Sequence, residues 1–96
     1  MFTSILMSEI RSTDNLDIID VRDPEEYVFG TIPNAQRIPM NTVPEQLDLL
    51  SKEKTYHVVC QSGSRSHMVC QYLSQQGYDV VNIMGGMGAY RGNLEY

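Results

Sequence analysis

The sequence predicts an α/β domain with a mainly parallel sheet flanked by helices, and three observations carry that expectation. Short apolar runs at 16–21, 56–59 and 80–83 have the length and β-branched content of buried strands. Helix-start signals separate them, namely Asp23-Pro24-Glu25-Glu26 and Thr42-Val43-Pro44-Glu45. Finally, Val58-Val59-Cys60-Gln61-Ser62-Gly63-Ser64-Arg65-Ser66 reads as a strand, a small polar turn and a helix start. Alternation of this kind is the pattern of a parallel sheet with helical crossovers.

In chain order, Thr3 is expected to cap a short helix reaching about Ile10, with Leu6 and Ile10 on its inner face. Residues 12–15 are polar turn material. The strand at 16–21 ends on the charges Asp20 and Arg22. Asp23 then caps a helix with Pro24 at its first position and Glu26 completing a capping box, and Gly30 ends it. Thr31-Ile32-Pro33-Asn34-Ala35 is a loop, and 36–38 is a brief strand before Pro39. Thr42 opens another helix with Leu47 and Leu50 on its apolar side, closing at 52–54. The central strand, the loop after Cys60 and a long helix follow. Val69, Tyr72, Leu73 and Gln76 keep helical spacing, and Gly77 stands where a C-terminal cap belongs. After the strand at 80–83, Gly85-Gly86 turns into a short helix at 87–90.

Composition bounds the partners. The 96 residues are read as one small domain, 42% hydrophobic and 20% charged. A net charge of −5 argues against nucleic acid or an anionic membrane as partner. No apolar run approaches the ~18 residues of a membrane span. The apolar opening at 1–7 lacks a basic n-region and a small-residue cleavage site, so it is read as part of the fold. Two cysteines, Cys60 and Cys70, share one strand–loop–helix unit without a CxxC or a Cys/His metal set. That usage fits a reducing, cytoplasmic compartment, and no metal is expected.

Cys60 is the candidate nucleophile. It is expected at the C-terminal end of a strand with a helix N-terminus just beyond it, where ligands bind in open α/β sheets. Gly63 and the serines let successive N–H groups turn toward one point, which binds anions and favours thiolate over thiol. Arg65 adds positive charge. An ordinary cysteine titrates near ~8.5, and such surroundings lower that. The competing reading is a buried cysteine that merely ends a strand.

Several motifs in this order resemble the single-domain rhodaneses, a family of sulfurtransferases. They are Asp20-Val21-Arg22, Pro24-Glu25-Glu26-Tyr27, Gly30-Thr31-Ile32-Pro33-Asn34-Ala35 with Ile38-Pro39, the loop from Cys60 to Ser66, Gly77-Tyr78 and Gly85-Gly86. Thr31 stands where the family usually has His, and Tyr90 where it often has Trp. The resemblance implies a rhodanese-like three-layer fold around a five-stranded sheet. It also implies a Cys60 persulfide, loaded from thiosulfate or another persulfide and discharged to cyanide or a thiol. Gln61, Ser62, Gly63, Ser64 and Arg65 would hold the sulfur anion through their backbone N–H groups, supported by Asp20, Arg22 and Ser66, with no cofactor. Related phosphatases and arsenate reductases have one residue more between Cys and Arg. The four residues here resemble the shorter, sulfur-handling loop, which leaves a phosphatase or arsenate reductase as the lesser alternative.

Other roles stay open at this level. Asp20 either hydrogen-bonds the loop or orients Arg65, or is a turn carboxylate. Arg22 pairs with Glu26 one turn on, or contacts substrate. Arg65 either pairs with an acidic neighbour or presents charge to thiosulfate. His67 is a weak candidate base, Cys70 a core thiol ahead of a resolving cysteine, and Met84 and Met87 either line the pocket mouth or fill core. Three functions compete: an enzyme, a persulfide carrier serving a donor or acceptor protein, and a silent interaction module. The intact Cys60 speaks against the last.

Overall fold

The computed structural model describes residues 1–11 and 13–96. Five strands form one sheet: β1 (Thr3–Leu6), β2 (Asp17–Asp20), β3 (Gln36–Arg37), β4 (Thr55–Val59) and β5 (Asp79–Met84). Their order is β1-β5-β4-β2-β3, and every neighbouring pair is parallel. β4 is therefore central, flanked by β5 and β2. Its C-terminal end, where Cys60 follows, is the middle of the sheet's C-terminal edge.

Adjacent residues of a strand point to opposite faces, so two apolar layers form. Ile19, Tyr56, Val58 and Val80 pack with the one α-helix among the described residues, α1 (Ser64–Gln75), which contributes Val69, Cys70 and Leu73. Ile18, Val59 and Ile83 face the other way, against Met7 and Ile32. α1 ends as its sequence suggests. Gly77 takes φ +94°, and Tyr78 N–H reaches back to Leu73 O at 3.0 Å while Gly77 N–H bonds Ser74 O at 3.1 Å. Those two bonds satisfy carbonyls at the helix end that have no partner within the helix.

The remaining helical pieces are 3₁₀ turns rather than α-helices. At Pro24–Phe29 the expected cap holds, with Asp23 N–H donating to Glu26 Oε1 at 3.0 Å, and Gly30 ends the turn at φ +96°. The capped helix expected at Thr42 is different. A turn spans Met40–Glu45 with Pro39 before it, Thr42 Oγ1 donates to Pro39 O at 2.8 Å, and a second turn covers Leu47–Leu49. Pro44, with no N–H to donate, sits inside the first turn and prevents a longer helix. Leu47 and Leu50 still pack against the core as expected.

The N-terminus differs most. Thr3 begins a strand, not a helix, and β1 pairs with β5 from Thr3↔Val81 to Leu6↔Met84. A single 3₁₀ turn, Met7–Glu9, follows, and Met7 rather than Leu6 is buried. The alternation of β-branched Thr3 and Ile5 suits an edge strand, and β5 offers the open edge. The turn expected at 12–15 includes Ser12, outside the described residues; beside it, Arg11 N–H donates to Asp14 Oδ2 at 3.0 Å.

Candidate active site

Cys60 leaves the end of β4 fully buried, and the loop beyond it folds back over its sulfur. Gly63 N–H points at Cys60 Sγ from 3.0 Å and Ser66 N–H from 3.3 Å. The Ser66 hydroxyl lies 3.4 Å from the same atom. Gly63 makes this possible by adopting φ +117°, a left-handed conformation that glycine reaches without steric cost, just before α1 begins. Among the described residues, the N–H groups of Gln61, Ser64 and Arg65 make no bond to Sγ. The N–H groups within bonding distance of Sγ are those of Gly63 and Ser66, with Ser62 N–H a weaker contributor.

The base of the loop is clamped by the 3₁₀ turn Gly86–Ala89. Met87 N–H donates to Cys60 O at 2.8 Å and Gly88 N–H to Gln61 O at 3.0 Å. Gly86 packs so tightly that a Cβ there would lie 2.4 Å from Cys60 O. This contact, with a φ of +56°, accounts for Gly86, whereas Gly85 is set by its φ of +87°.

Burial disfavours the Cys60 thiolate. The Ser66 hydroxyl and the N–H groups of Ser66, Gly63 and Ser62 outweigh that penalty, and the thiol is held below its ordinary pKa. Cys70, one turn after Ser66 on the buried face of α1, has no such donors. Burial and the neighbouring Cys60 push its thiol up to about 12. Both cysteines are free thiols.

Arg65 takes the paired reading. Its guanidinium grips Glu26 through Nη1–Oε1 at 2.6 Å and Nη2–Oε2 at 3.0 Å, with Asp23 Oδ2 at 3.8 Å. Arg65 holds the Glu26 carboxyl down at about 2 by this bond, against a smaller opposing effect of burial. The ion pair ties the start of α1 to the Pro24–Phe29 turn.

Asp20 and Arg22 do not reach the loop. Asp20 is fully buried and accepts from Arg22 through its backbone N–H at 3.0 Å and Nη2 at 2.9 Å, and from Thr31 Oγ1 at 2.6 Å. Arg22 also donates to Gly30 O at 2.7 Å. Asp20 therefore neither bonds the loop nor orients Arg65, and Arg22 pairs with Asp20 in place of Glu26. Satisfying a buried carboxylate locally is cheaper than leaving it aimed at a mobile partner. Thr31, the departure from the family pattern, supplies one of the donors.

His67 is exposed and meets the ring of Phe2 edge-on at 5.0 Å, so it takes no part near the sulfur. Met87 packs against the core beside Ile83, while Met84 is largely exposed. Asn82 was not singled out by sequence reasoning, yet it joins the site. Buried on β5, its Oδ1 accepts from Ser66 Oγ at 2.5 Å and its Nδ2 lies 3.4 Å from Gly63 O. A polar residue inside the apolar run Val80-Val81-Asn82-Ile83 was the available signal. A 610 Å³ cavity lies on the opposite side of the sheet, lined by Met7, Ile18, Ile32 and Tyr90 among others, with no loop residue in it. Convergent donors on Cys60 Sγ, rather than concavity, mark the candidate site.

A central parallel sheet with a buried cysteine at the end of its middle strand, cradled by the N-terminus of the following helix, places the chain among α/β proteins built around a strand–loop–helix cysteine site. The family model for the rhodanese-like domain matches residues 5–93. The chain is 44% identical over 93 residues to YtwF of Bacillus subtilis, which carries the name of a sulfurtransferase, covering 97% of this chain and 90% of that one. It is 33% identical over 88 residues to YrkF of the same organism, named as a sulfur carrier protein, covering 91% of this chain and 48% of that one. A rhodanese-like domain protein from Staphylococcus aureus superposes with a TM-score of 0.90 at 40% identity, covering 98% of this chain and 97% of that one. The chain belongs to the rhodanese-like domain family, with the expected five-stranded α/β fold.

Proposed function

We propose that the protein is a rhodanese-type sulfurtransferase in which Cys60 carries the transferred sulfur as a persulfide. The observation that supports this most is the convergence of Gly63 N–H and Ser66 N–H on a buried, acidified Cys60 Sγ at the end of the central strand. The names of YtwF and YrkF point the same way. The thiolate attacks the outer, sulfane sulfur of the donor, and the donor's S–S bond breaks. The leaving group departs with the electron pair, as sulfite from thiosulfate or as a thiolate from an organic persulfide. An acceptor thiolate or cyanide then attacks the outer sulfur, and Cys60 leaves as thiolate. The N–H groups of Gln61, Ser62, Gly63, Ser64 and Arg65 are assigned to the terminal sulfur anion, one bond beyond Sγ.

The charge arrangement favours a persulfide donor, from a small thiol or a protein, over thiosulfate. Arg65 is held by Glu26 and Asp23, and the chain carries −5 overall, so a dianion gains little attraction. A carrier that receives and hands on sulfur with little turnover shares all of this chemistry. Two free thiols suit a reducing compartment such as the cytoplasm, and no helix among the described residues is long and apolar enough to cross a membrane. Intact mass after incubation with thiosulfate, and separately with glutathione persulfide, tests the proposal. A gain of ~32 Da, one sulfur, on Cys60 is expected with the persulfide. No adduct with either donor would overturn it. Steady turnover in excess acceptor separates the enzyme from the carrier.

A further inference from the structure

Four groups around the nucleophile form a closed ring of hydrogen bonds. Cys60 Sγ–H lies 3.4 Å from Ser66 Oγ, and Ser66 O–H lies 2.5 Å from Asn82 Oδ1. Asn82 Nδ2 points to Gly63 O at 3.4 Å, and Gly63 N–H returns to Cys60 Sγ at 3.0 Å. A serine hydroxyl has a single proton to donate. Three acceptors compete for it here: Asn82 Oδ1 at 2.5 Å, Gly63 O at 3.1 Å and the sulfur. The shortest contact goes to Asn82, so in the resting thiol the hydroxyl turns its lone pair, not its proton, toward Cys60.

We propose that Asn82 is a positioning residue that holds the Ser66 proton away from Cys60 and thereby restrains ionisation of the thiol. When Cys60 loses its proton to solvent, the Ser66 O–H must swing onto the thiolate, and Asn82 Oδ1 is left without its donor. The buried amide thus opposes part of the stabilisation the loop gives. Gly63 O, at 3.1 Å, is the weaker rival acceptor for this proton, and among the described residues no ionisable group is placed to take it. On α1, Arg65 is bound to Glu26, and Cys70 is an apolar-buried thiol. On β2, Asp20 is closed off by Arg22 and Thr31. The core members of the Met40–Glu45 turn, Met40 and Val43, are uncharged, the Gly86–Ala89 turn has no ionisable side chain, and His57 of β4 points to the opposite face from Cys60.

The consequence for sulfur transfer rests on Cys60 being the sulfur-bearing residue. A less acidic thiol is a better attacking thiolate but a poorer leaving group. Above the thiol's midpoint, where Cys60 is ionised either way, Asn82 therefore shifts the balance toward loading and away from discharge.

The test is the pH dependence of Cys60 alkylation by iodoacetamide, which requires no sulfur chemistry. Asn82→Leu keeps the branched shape and removes both polar ends. Its alkylation midpoint is expected to fall by about half to one pH unit, the worth of one neutral hydrogen bond. In a Ser66→Ala background the same substitution should move nothing, because the proton it competes for is gone. With persulfide donors above both midpoints, Asn82→Leu should load roughly threefold more slowly and discharge faster. An unchanged or raised midpoint overturns the proposal, as does an equal fall in both backgrounds. Should Asn82→Leu fail to fold, Asn82→Ala carries the same expectations. A shifted midpoint with no sulfur adduct would sink the transfer reading and leave this one standing.

Discussion

Gly86→Ala tests whether the clamp beneath the loop positions the nucleophile. The added Cβ would stand 2.4 Å from Cys60 O and 2.6 Å from both C and O of Gln61, all backbone atoms. Ordinary contact is ~3.5 Å, so the loop or the turn must retreat by roughly 1 Å. Gly86 also has φ +56°, where alanine is destabilised by about 1–2 kcal/mol. That alone lowers Tm by roughly 5–15 °C in a domain of this size, leaving most of its ~5–15 kcal/mol of stability. The shift pulls Cys60 O from Met87 N–H and carries Sγ out of line with Gly63 and Ser66. A misplacement of ~1 Å costs about 10²-fold in rate. The assay is persulfide loading by stopped-flow, alongside the alkylation midpoint, which should drift up toward the ordinary ~8.5. Gly88→Ala is the control, because its Cβ would meet only Gln61 O at 3.3 Å and Gln61 Nε2 at 3.5 Å. It should load within ~3-fold of wild type. Near wild-type loading by folded Gly86→Ala would refute the reasoning.

Three further outcomes follow from the charges and thiols. Asp20→Ala strands a buried Arg22 and should lose about 3–5 kcal/mol in urea unfolding, whereas loss under 1 kcal/mol would mean water reaches the pair. Glu26 has its pKa lowered from 4.5 to about 2, so its pairing with Arg65 stabilises the fold above pH 4.5 and that contribution fades as pH falls toward 2. The partly exposed pair is worth ~1 kcal/mol or less, and Glu26→Gln should flatten that limb of the stability–pH curve; an identical acid limb would count against it. Cys70→Ser should keep sulfur loading while Cys60→Ser loses it, and Cys70 should resist alkylation at pH 7; equal loss in both would place the chemistry on the helix cysteine.

What the sequence determined by itself was the local machinery. Cys60, Gly63 and Ser66 lie within seven residues, so the strand-to-helix turn that aims N–H groups at the sulfur is encoded in one short stretch. The Asp23–Glu26 cap and the Gly77 helix end were legible for the same reason, since their bonds span only three to five residues. Tertiary structure decided whatever depended on partners distant in the chain. Arg65 and Glu26 are 39 residues apart, and Ser66 and Asn82 are 16 apart. Arg22 reads as a helix-surface partner for Glu26 until Asp20 is found buried and in need of a counter-charge. The first residues illustrate the limit most clearly. Thr3, Ile5 and Leu6 fit a short helix or a strand equally well, and only the open edge of β5 offers enough backbone hydrogen bonds to select the strand.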